Sequence, residues 1–312
     1  MDIRDDVLKY SLTQNKRRTK KEKIRFLKSL SSEARHLGYA ENEVSTKVAK
    51  INRKENYNLY IGNVEEADTV LTTYFDTPPR SVLGLHYKVG DARNNYKWAM
   101  ISQTLPFVVY TIFELLVIAL LVFPMLRMND VWQQTTAVIL AVLLIGVSLK
   151  LKNGLSQSSN LSNSTASIIL LLSIMRQMTA AQRKRVAFVF TDNGMVNNLG
   201  LKVAANFISY HAKKEPQIIY FDSIGDARNI RIFHDDKESL TGMNNSWVSS
   251  PLNTLKNDEF LVKFTDCIVT NGAEVDGSVI PDDETTTQHN FDFKKLGFLS
   301  RDLIKVFKLS SD

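Results

Sequence analysis

The chain has 312 residues and a formal net charge of +6, with 44% hydrophobic and 23% charged residues. Its mean hydropathy of −0.14 excludes a protein that consists mainly of transmembrane helices, so most of the chain is expected to be water-soluble. The single cysteine, Cys267, excludes a disulfide framework and agrees with a reducing compartment. The positive charge is not interleaved with aromatic side chains, so we expect no nucleic-acid partner.

Residues 1–55 are predicted to form a basic, helical N-terminal segment. Within residues 20–37, apolar side chains recur every three or four positions and Gly38 follows, which is typical of an amphipathic helix and its end. Eight Lys and Arg residues fall between positions 16 and 28. We call this the basic cluster, and we expect it either to face solvent or to approach anionic lipid headgroups.

Residues 98–150 are predicted to form a transmembrane hairpin. The two spans, about 105–126 and 131–149, each approach the roughly 20 apolar residues that cross a hydrocarbon core of about 30 Å. Glu114 is the one charged residue inside the first span. An acid at that depth costs about 2.5–3.5 kcal/mol on insertion scales, which indicates either a polar contact with a partner helix or a shallow, snorkelling or protonated side chain.

The flanking charges predict the orientation of this hairpin. Nineteen Lys and Arg residues precede the first span, whereas the turn at 127–130 carries no net charge. The positive-inside rule therefore places both termini and the soluble domain in the cytoplasm. We expect a cell-membrane protein with two spans, for which the lipid bilayer is one partner.

Residues 56–97 and 151–312 are predicted to form an α/β domain, because β-rich runs alternate with helical ones. The predicted strands are 58–61, 69–75, 185–191, 217–221 and 260–270, and the predicted helices are 168–175, 199–212 and 293–307. Asp76, Asp192 and Asp222 each directly follow a β-rich run. Because chemistry in such sheets sits at the carboxyl ends of the strands, these three acids indicate a site.

Four segments of this domain share an order that is known from one enzyme family. They are NLYIGNVEEADTVLTTYFDTP, NSTASIILLLSIMRQM, FVFTDNGMVNNLGLKVA and IIYFDSIGDA. Together they resemble the co-catalytic zinc aminopeptidases of metallopeptidase family 28, over residues 56–307. The resemblance implies a mixed sheet with helices on both faces, interrupted here by the inserted two-helix hairpin. It also implies two zinc ions that share a water, with a separate Glu as general base.

Carried over position by position, the metal ligands of that family are largely replaced. The ligand His falls on Tyr74, the bridging Asp on Asn163 and the ligand Glu on Met195. Two acids are retained, namely Asp76, which orients the ligand His in the family, and the ligand Asp222. The resemblance thus implies a degenerate metal site at these five positions.

The catalytic Glu of the family falls on Gly194, which has no side chain to accept a proton. The last ligand His would lie near 279–282, where no His occurs. We therefore expect no zinc cofactor and no peptide hydrolysis, but a binding or regulatory module whose partner is a membrane protein or a related peptidase.

Two other hypotheses remain open at this stage. The protein could be an active membrane-bound zinc aminopeptidase with an atypical or single-metal site, formed by Asp76, Asp192, Asp222 and His289. Alternatively, it could be a membrane scaffold whose soluble fold merely persists. Zinc is the expected cofactor only under the first of these.

Overall fold

The computed structural model describes residues 3–51, 54–77, 87–152, 161–194, 198–225, 227–235, 243–244, 246–255, 258–281, 291–307 and 309. The chain divides into two compact units. The α/β unit comprises Met1–Thr77, Tyr87–Tyr96 and Ser158–Asp312, and the hairpin unit comprises Pro78–His86 and Lys97–Gln157.

The α/β unit is built on an eight-stranded mixed sheet. In chain order its strands are β1 (Val44–Ile51), β2 (Lys54–Ile61), β3 (Thr69–Tyr74), β4 (Val186–Thr191), β5 (Gln217–Asp222), β6 (Ile230–His234), β7 (Val248–Pro251) and β8 (Cys267–Asn271). In space the order is β1-β2-β4-β3-β5-β8-β6-β7. A two-stranded sheet pairs β9 (Ala273–Val275) with β10 (Ser278–Ile280).

The centre of the sheet is parallel and fully buried. Strands β4, β3, β5 and β8 run parallel to one another, and every residue of β3 and β4 is buried. Continuous burial explains why these strands read as unbroken apolar or β-branched runs in the sequence. The register pairs Tyr74 with Thr191 and Thr73 with Phe221, so the carboxyl ends of β3, β4 and β5 lie at one level.

Helices of the α/β unit flank this sheet. They are α1 (Ile3–Val7), α2 (Lys20–His36), α6 (Ala166–Gln177), α7 (Ala180–Arg183), α8 (Leu199–His211), α9 (Glu259–Phe264) and α10 (Phe293–Val306). The helices of the hairpin are α3 (Ala92–Val117), whose first residues still belong to the α/β unit, α4 (Phe123–Leu126) and α5 (Val131–Leu151). All ten residues from Ala166 to Met175 are buried, as expected of a core helix. The helices predicted at 20–37, 199–212 and 293–307 are confirmed within one residue at either end.

One predicted strand is wrong. Residues 260–270 do not form a single strand, because α9 occupies Glu259–Phe264 and only Cys267–Asn271 is extended. The Asp258 carboxylate accepts a hydrogen bond from the backbone N–H of Leu261 at 3.1 Å and so caps a helix at this point. Strand β1 was not predicted at all, and it lies within the segment where the sequence indicated only helix.

The N-terminal segment belongs to the core of the α/β unit. Tyr10 packs edge-on against Phe26 with ring centroids 5.6 Å apart, and Phe26 stacks on Phe75 at 5.4 Å. Arg17 is fully buried and Lys23 is 8% exposed. The expectation that the basic cluster faces solvent or lipid is therefore wrong for these two residues.

Among the described residues, two helices are long and apolar enough to cross a membrane, Arg93–Leu126 with 34 residues and Val131–Leu151 with 21. The first begins in the α/β unit and runs through α3, a π-helical stretch at Ile118–Val122 and α4. Two polar contacts join the helices of the hairpin unit. Ser148 Oγ donates a hydrogen bond to the Glu114 carboxylate, and the Tyr110 hydroxyl donates to the Leu144 carbonyl at 3.1 Å. The polar contact of Glu114 is thus with the second helix of its own hairpin.

Candidate functional site

Asp222 ends β5 and is 1% exposed. Both of its carboxylate oxygens are engaged, since Oδ2 accepts a hydrogen bond from the Tyr87 hydroxyl at 2.6 Å and Oδ1 accepts one from Ser223 Oγ at 2.8 Å. Burial raises the pKa of Asp222 to about 6, and these hydroxyl donors only partly oppose that shift. The carboxyl is therefore held by neutral donors.

Three buried phenols surround this carboxyl. Burial, followed by the charge of Asp222, raises the pKa of Tyr74, Tyr87 and Tyr220 well above its usual value. The Tyr74 hydroxyl has no hydrogen-bond partner among the described residues, although it lies close enough to Asp222 to lower the pKa of that carboxyl. Asp222 thus sits among aromatic hydroxyls that are all protonated near neutral pH.

Asp76 lies two residues beyond β3 and is also buried. Its Oδ1 accepts a hydrogen bond from the backbone N–H of Gly194 at 2.8 Å, which ties the end of β3 to the loop after β4. Burial raises the pKa of Asp76 to about 6. The positive charge of Lys23 lowers it, and the negative charge of Asp192 raises it. Asp76 and Asp192 therefore lie near enough to interact.

Asp192 follows β4 and is fully buried. Lys23 Nζ forms an ion pair with Oδ1 of this residue, and the backbone N–H of Tyr57 donates to Oδ2 at 3.3 Å. The backbone N–H of Asn193 donates to Oδ1 at 2.8 Å. This carboxylate therefore differs from the other two strand-end acids, because its charge is balanced by an ammonium group.

Arg17 lies beside the same edge of the sheet. Its Nη2 donates to the Ser164 and Thr165 hydroxyls at 3.2 and 2.7 Å, and its backbone N–H donates to Thr77 Oγ1 at 3.0 Å. Nε and Nη1 have no hydrogen-bond partner in the described part of the chain. Burial lowers the pKa of this guanidinium to about 9, and the charge of Asp76 partly opposes that shift.

Tyr74 and Gly194 are in direct contact. A Cβ atom added to Gly194 would lie 2.5 Å from Cγ of Tyr74 and closer still to its Cβ. Such approaches are well inside van der Waals contact, so a side chain at position 194 would require Tyr74 to move. The Cβ and Cγ atoms of Tyr74 fill the volume that a residue larger than glycine would need at this point.

The positions predicted for the site are brought together only in part. Asp76, Asp192 and Gly194 lie side by side, as do Tyr74 and Asp222. Met195 and His289 lie outside the described residues, as does the side chain of Asn163. Among the residues that the structure describes, no group of three His, Cys, Asp or Glu side chains is placed to hold a metal ion.

Three residues that contact this site were not predicted from the sequence, namely Arg17, Lys23 and Tyr87. A signal existed for Lys23, because it precedes Phe26 by three residues and Leu30 by seven, and therefore shares the buried stripe of α2. Arg17 lies in an irregular stretch before α2, and Tyr87 lies in one before α3, so neither has a periodic pattern around it.

Comparison with known proteins identifies the fold. No protein-family model and no curated protein matches the chain. Among solved structures, a glutaminyl cyclase from Porphyromonas gingivalis matches with a TM-score of 0.51 and 12% identity, over 98% of this chain and 95% of that one. The LapA aminopeptidase of Legionella pneumophila matches with a TM-score of 0.49 and 9% identity, over 98% of this chain and 69% of that one. A glutaminyl cyclase from Fimbriiglobus ruber matches with a TM-score of 0.46 and 11% identity, over 99% of this chain and 93% of that one.

At these identities the likeness concerns the fold alone. The first of these matches, to a glutaminyl cyclase, confirms the predicted fold class, a mixed α/β sheet with helices. The activity of this chain has to be argued from its own residues.

Proposed function

We propose that this protein is a membrane-anchored, aminopeptidase-like domain that does not hydrolyse peptides and instead acts as a binding or regulatory module. The contact between Tyr74 and Gly194 carries this proposal. In the resemblance these positions belong to a metal-binding His and the catalytic Glu. A phenol that is protonated at neutral pH is a poor metal ligand, and glycine offers no base to activate water.

The strand-end acids do not fit a pair of zinc ions. Two such ions need several converging carboxylate and imidazole ligands and a shared water. Here both oxygens of Asp222 accept hydrogen bonds from hydroxyl groups, and Asp192 is paired with Lys23. The retained ligand Asp222 is therefore surrounded by phenols, and we expect no metal cofactor.

The hairpin supports a function at the membrane. Its two helices suffice in length and composition to cross a bilayer, and the preceding residues are rich in Lys and Arg. We infer that both termini and the α/β unit are cytoplasmic, by the positive-inside rule. Partners of such a module are the bilayer itself and a second membrane protein, for which a related peptidase is a candidate.

One observation favours the alternative of an active zinc aminopeptidase with an atypical site. Asp76 and Asp222 are buried carboxyls whose pKa is raised to about 6, and perturbed acids of this kind cluster at catalytic sites. In that case Asp222 would hold metal and zinc would be required for activity. The absence of a base at Gly194 weighs against this alternative.

A hydrolysis assay separates the two functions. Full-length protein in detergent, supplied with zinc, would be incubated with aminoacyl nitroanilides and with peptides that carry an N-terminal glutamine. We expect no turnover above that of the Asp222→Ala variant. Turnover that disappears in Asp222→Ala would overturn the proposal and establish the alternative.

A further inference from the structure

We propose that the N-terminal segment is a built-in source of positive charge for this site, because Lys23 pairs with Asp192 and Arg17 binds the hydroxyls of the turn before α6. This inference rests on the proposed function, since it explains how the site is held together without zinc. It assigns a role to two members of the basic cluster that neither solvent exposure nor lipid contact accounts for.

Lys23 provides the first cation. Its ammonium contacts Asp192, whose side chain is fully buried, and only 10% of the lysine side chain is exposed. A buried carboxylate that lost its cation would be strongly destabilising, because it could neither be hydrated nor paired. Within the described residues Lys23 is the cation at ion-pair distance from Asp192. The same charge also lowers the pKa of Asp76, without forming an ion pair with it among the described contacts.

Arg17 provides the second cation. Its guanidinium binds the hydroxyls of Ser164 and Thr165, at 3.2 and 2.7 Å, in the loop where the resemblance puts the bridging acid. Its backbone binds Thr77, directly after Asp76. The guanidinium also lies over the ring of Phe26, 4.7 Å from the ring centroid, and this cation–π contact favours its charged form. One residue therefore joins the turn before α6, through its side chain, to the end of β3, through its backbone.

The start of α2 fixes the spacing of these two cations. Thr19 and Glu22 form a capping box, in which the Glu22 N–H donates to Thr19 Oγ1 at 3.3 Å and the Thr19 N–H donates to Glu22 Oε2 at 2.9 Å. The box ends the irregular stretch that contains Arg17 and begins the helix that carries Lys23. Both cations consequently reach the edge of the sheet from the start of α2, on either side of its N-cap.

Ion pairs with Arg176 bind the N-terminal segment to the core on both sides of the capping box. Arg176 forms an ion pair with Asp6 and another with Glu33, the latter at 2.8 Å. Both carboxylates come from the N-terminal segment, and Arg176 comes from α6. Anchoring on both sides of the capping box makes the cations a permanent part of the fold. A segment that merely visits the site would lack such anchors.

A double-mutant cycle on the full-length protein tests the inference through thermal unfolding at neutral pH. Lys23→Met should lower the Tm by roughly 10 °C, because it leaves a buried carboxylate unpaired. Adding Asp192→Asn should restore at least half of that loss. The matched control is Lys20→Met, on the same helix, whose pair with Glu55 is largely exposed and should change the Tm by no more than about 2 °C.

Two results would overturn the inference. One is a loss in Lys23→Met no larger than in Lys20→Met, and the other is a loss in the double variant equal to the sum of the single losses. Should Lys23→Met fail to fold, the double variant must still fold, because neither buried charge remains; an unfolded double variant contradicts the proposal. In wild type, neither zinc chloride nor EDTA should shift the Tm, and a zinc-dependent rise would also contradict it.

These outcomes are independent of the assay for hydrolysis. If the losses of Tm in the Lys23→Met and Asp192→Asn variants simply add and the protein shows no turnover, only the proposed role of Lys23 is contradicted. If the two substitutions are coupled but the protein hydrolyses peptides, only the proposed lack of catalysis is contradicted.

Discussion

Tyr74 occupies the space that any side chain at position 194 would need. The two residues stand where the resemblance puts a metal-binding His and a catalytic Glu. Because the nearest atoms are the Cβ and Cγ of Tyr74, the loop after β4 can approach the end of β3 this closely only with glycine at the contact. The backbone N–H of Gly194 donates a hydrogen bond to Asp76 Oδ1 at 2.8 Å, which stabilises the contact between the loop after β4 and the end of β3.

The first prediction concerns this contact. Gly194→Ala should lower the free energy of unfolding by about 1–3 kcal/mol, because the added methyl overlaps Tyr74 near its backbone, where side-chain rotation cannot relieve the overlap. In a Tyr74→Gly background the same change should cost less than about 0.5 kcal/mol, since the Cβ and Cγ atoms that obstruct it are gone. Thermal or denaturant unfolding of the four proteins measures both values.

Gly146→Ala is the matched control for that cycle. Its added Cβ meets nothing within 4 Å, so the unfolding of the α/β unit should not change. If Gly194→Ala proved as harmless as Gly146→Ala, Tyr74 would not fill the space beside Gly194 in solution.

The second prediction is a pH dependence that arises from Asp222. Its pKa is about 6 in the folded protein and about 3.9 in an unfolded chain. Between these values the folded state binds more protons, so the contribution of Asp222 to stability is full below about pH 4 and is lost as the pH rises through 6. The size of the effect is about 3 kcal/mol.

Asp222→Asn removes this titration and provides the measurement. The free energy of unfolding of the variant, relative to wild type, should rise by roughly 3 kcal/mol between pH 4 and pH 7. Using the difference between the two proteins cancels all other titrating groups. Parallel curves for the two proteins would mean that Asp222 is not a buried, unpaired carboxyl.

The third prediction concerns the hairpin. Ser148→Ala removes the donor to Glu114 and should weaken the association of the two helices by about 1 kcal/mol, the usual size of such bonds in membranes. Unfolding of the hairpin in bicelles under force measures this change. Thr111→Ala is the control, because the Thr111 hydroxyl binds a carbonyl of its own helix. Equal effects of the two substitutions would refute a specific role for the Glu114 contact.

The fourth prediction tests the orientation in the membrane. Cys267 is buried and should not react, so a single introduced cysteine can act as reporter. Asn129→Cys, in the turn of the hairpin, should react with a membrane-impermeant maleimide on intact cells. Tyr210→Cys, at a side chain that is 86% exposed in the α/β unit, should react only after lysis. The reverse pattern would place the α/β unit outside the cell.

Much of the sheet could be predicted from the sequence, for a physical reason. Strands β3, β4 and β5 are buried in the middle of the sheet and therefore read as continuous apolar or β-branched runs. Strand β1 is an edge strand with exposed Lys47 and Lys50, and its stability comes from pairing with β2, which a local pattern does not reveal. The apolar run after Asp258 was predicted to be a strand, but the Asp258 carboxylate caps a helix at this point.

The site was predictable only along the strands. Asp76, Asp192 and Asp222 were found because they follow β-rich runs, and the register of parallel strands does bring their ends to one level. The cations that neutralise this edge come from residues more than 50 positions earlier in the sequence than Asp76. No spacing rule connects Arg17 to Ser164, because that contact depends on how the N-terminal segment packs against the core.

The metal content of the purified protein tests the central claim most directly. Full-length protein would be isolated in detergent without chelators, dialysed against zinc and then against metal-free buffer, and analysed by elemental mass spectrometry. We predict well below one zinc ion per chain, both for wild type and for Asp222→Ala. Two zinc ions per chain in wild type, lost in Asp222→Ala, would contradict the account.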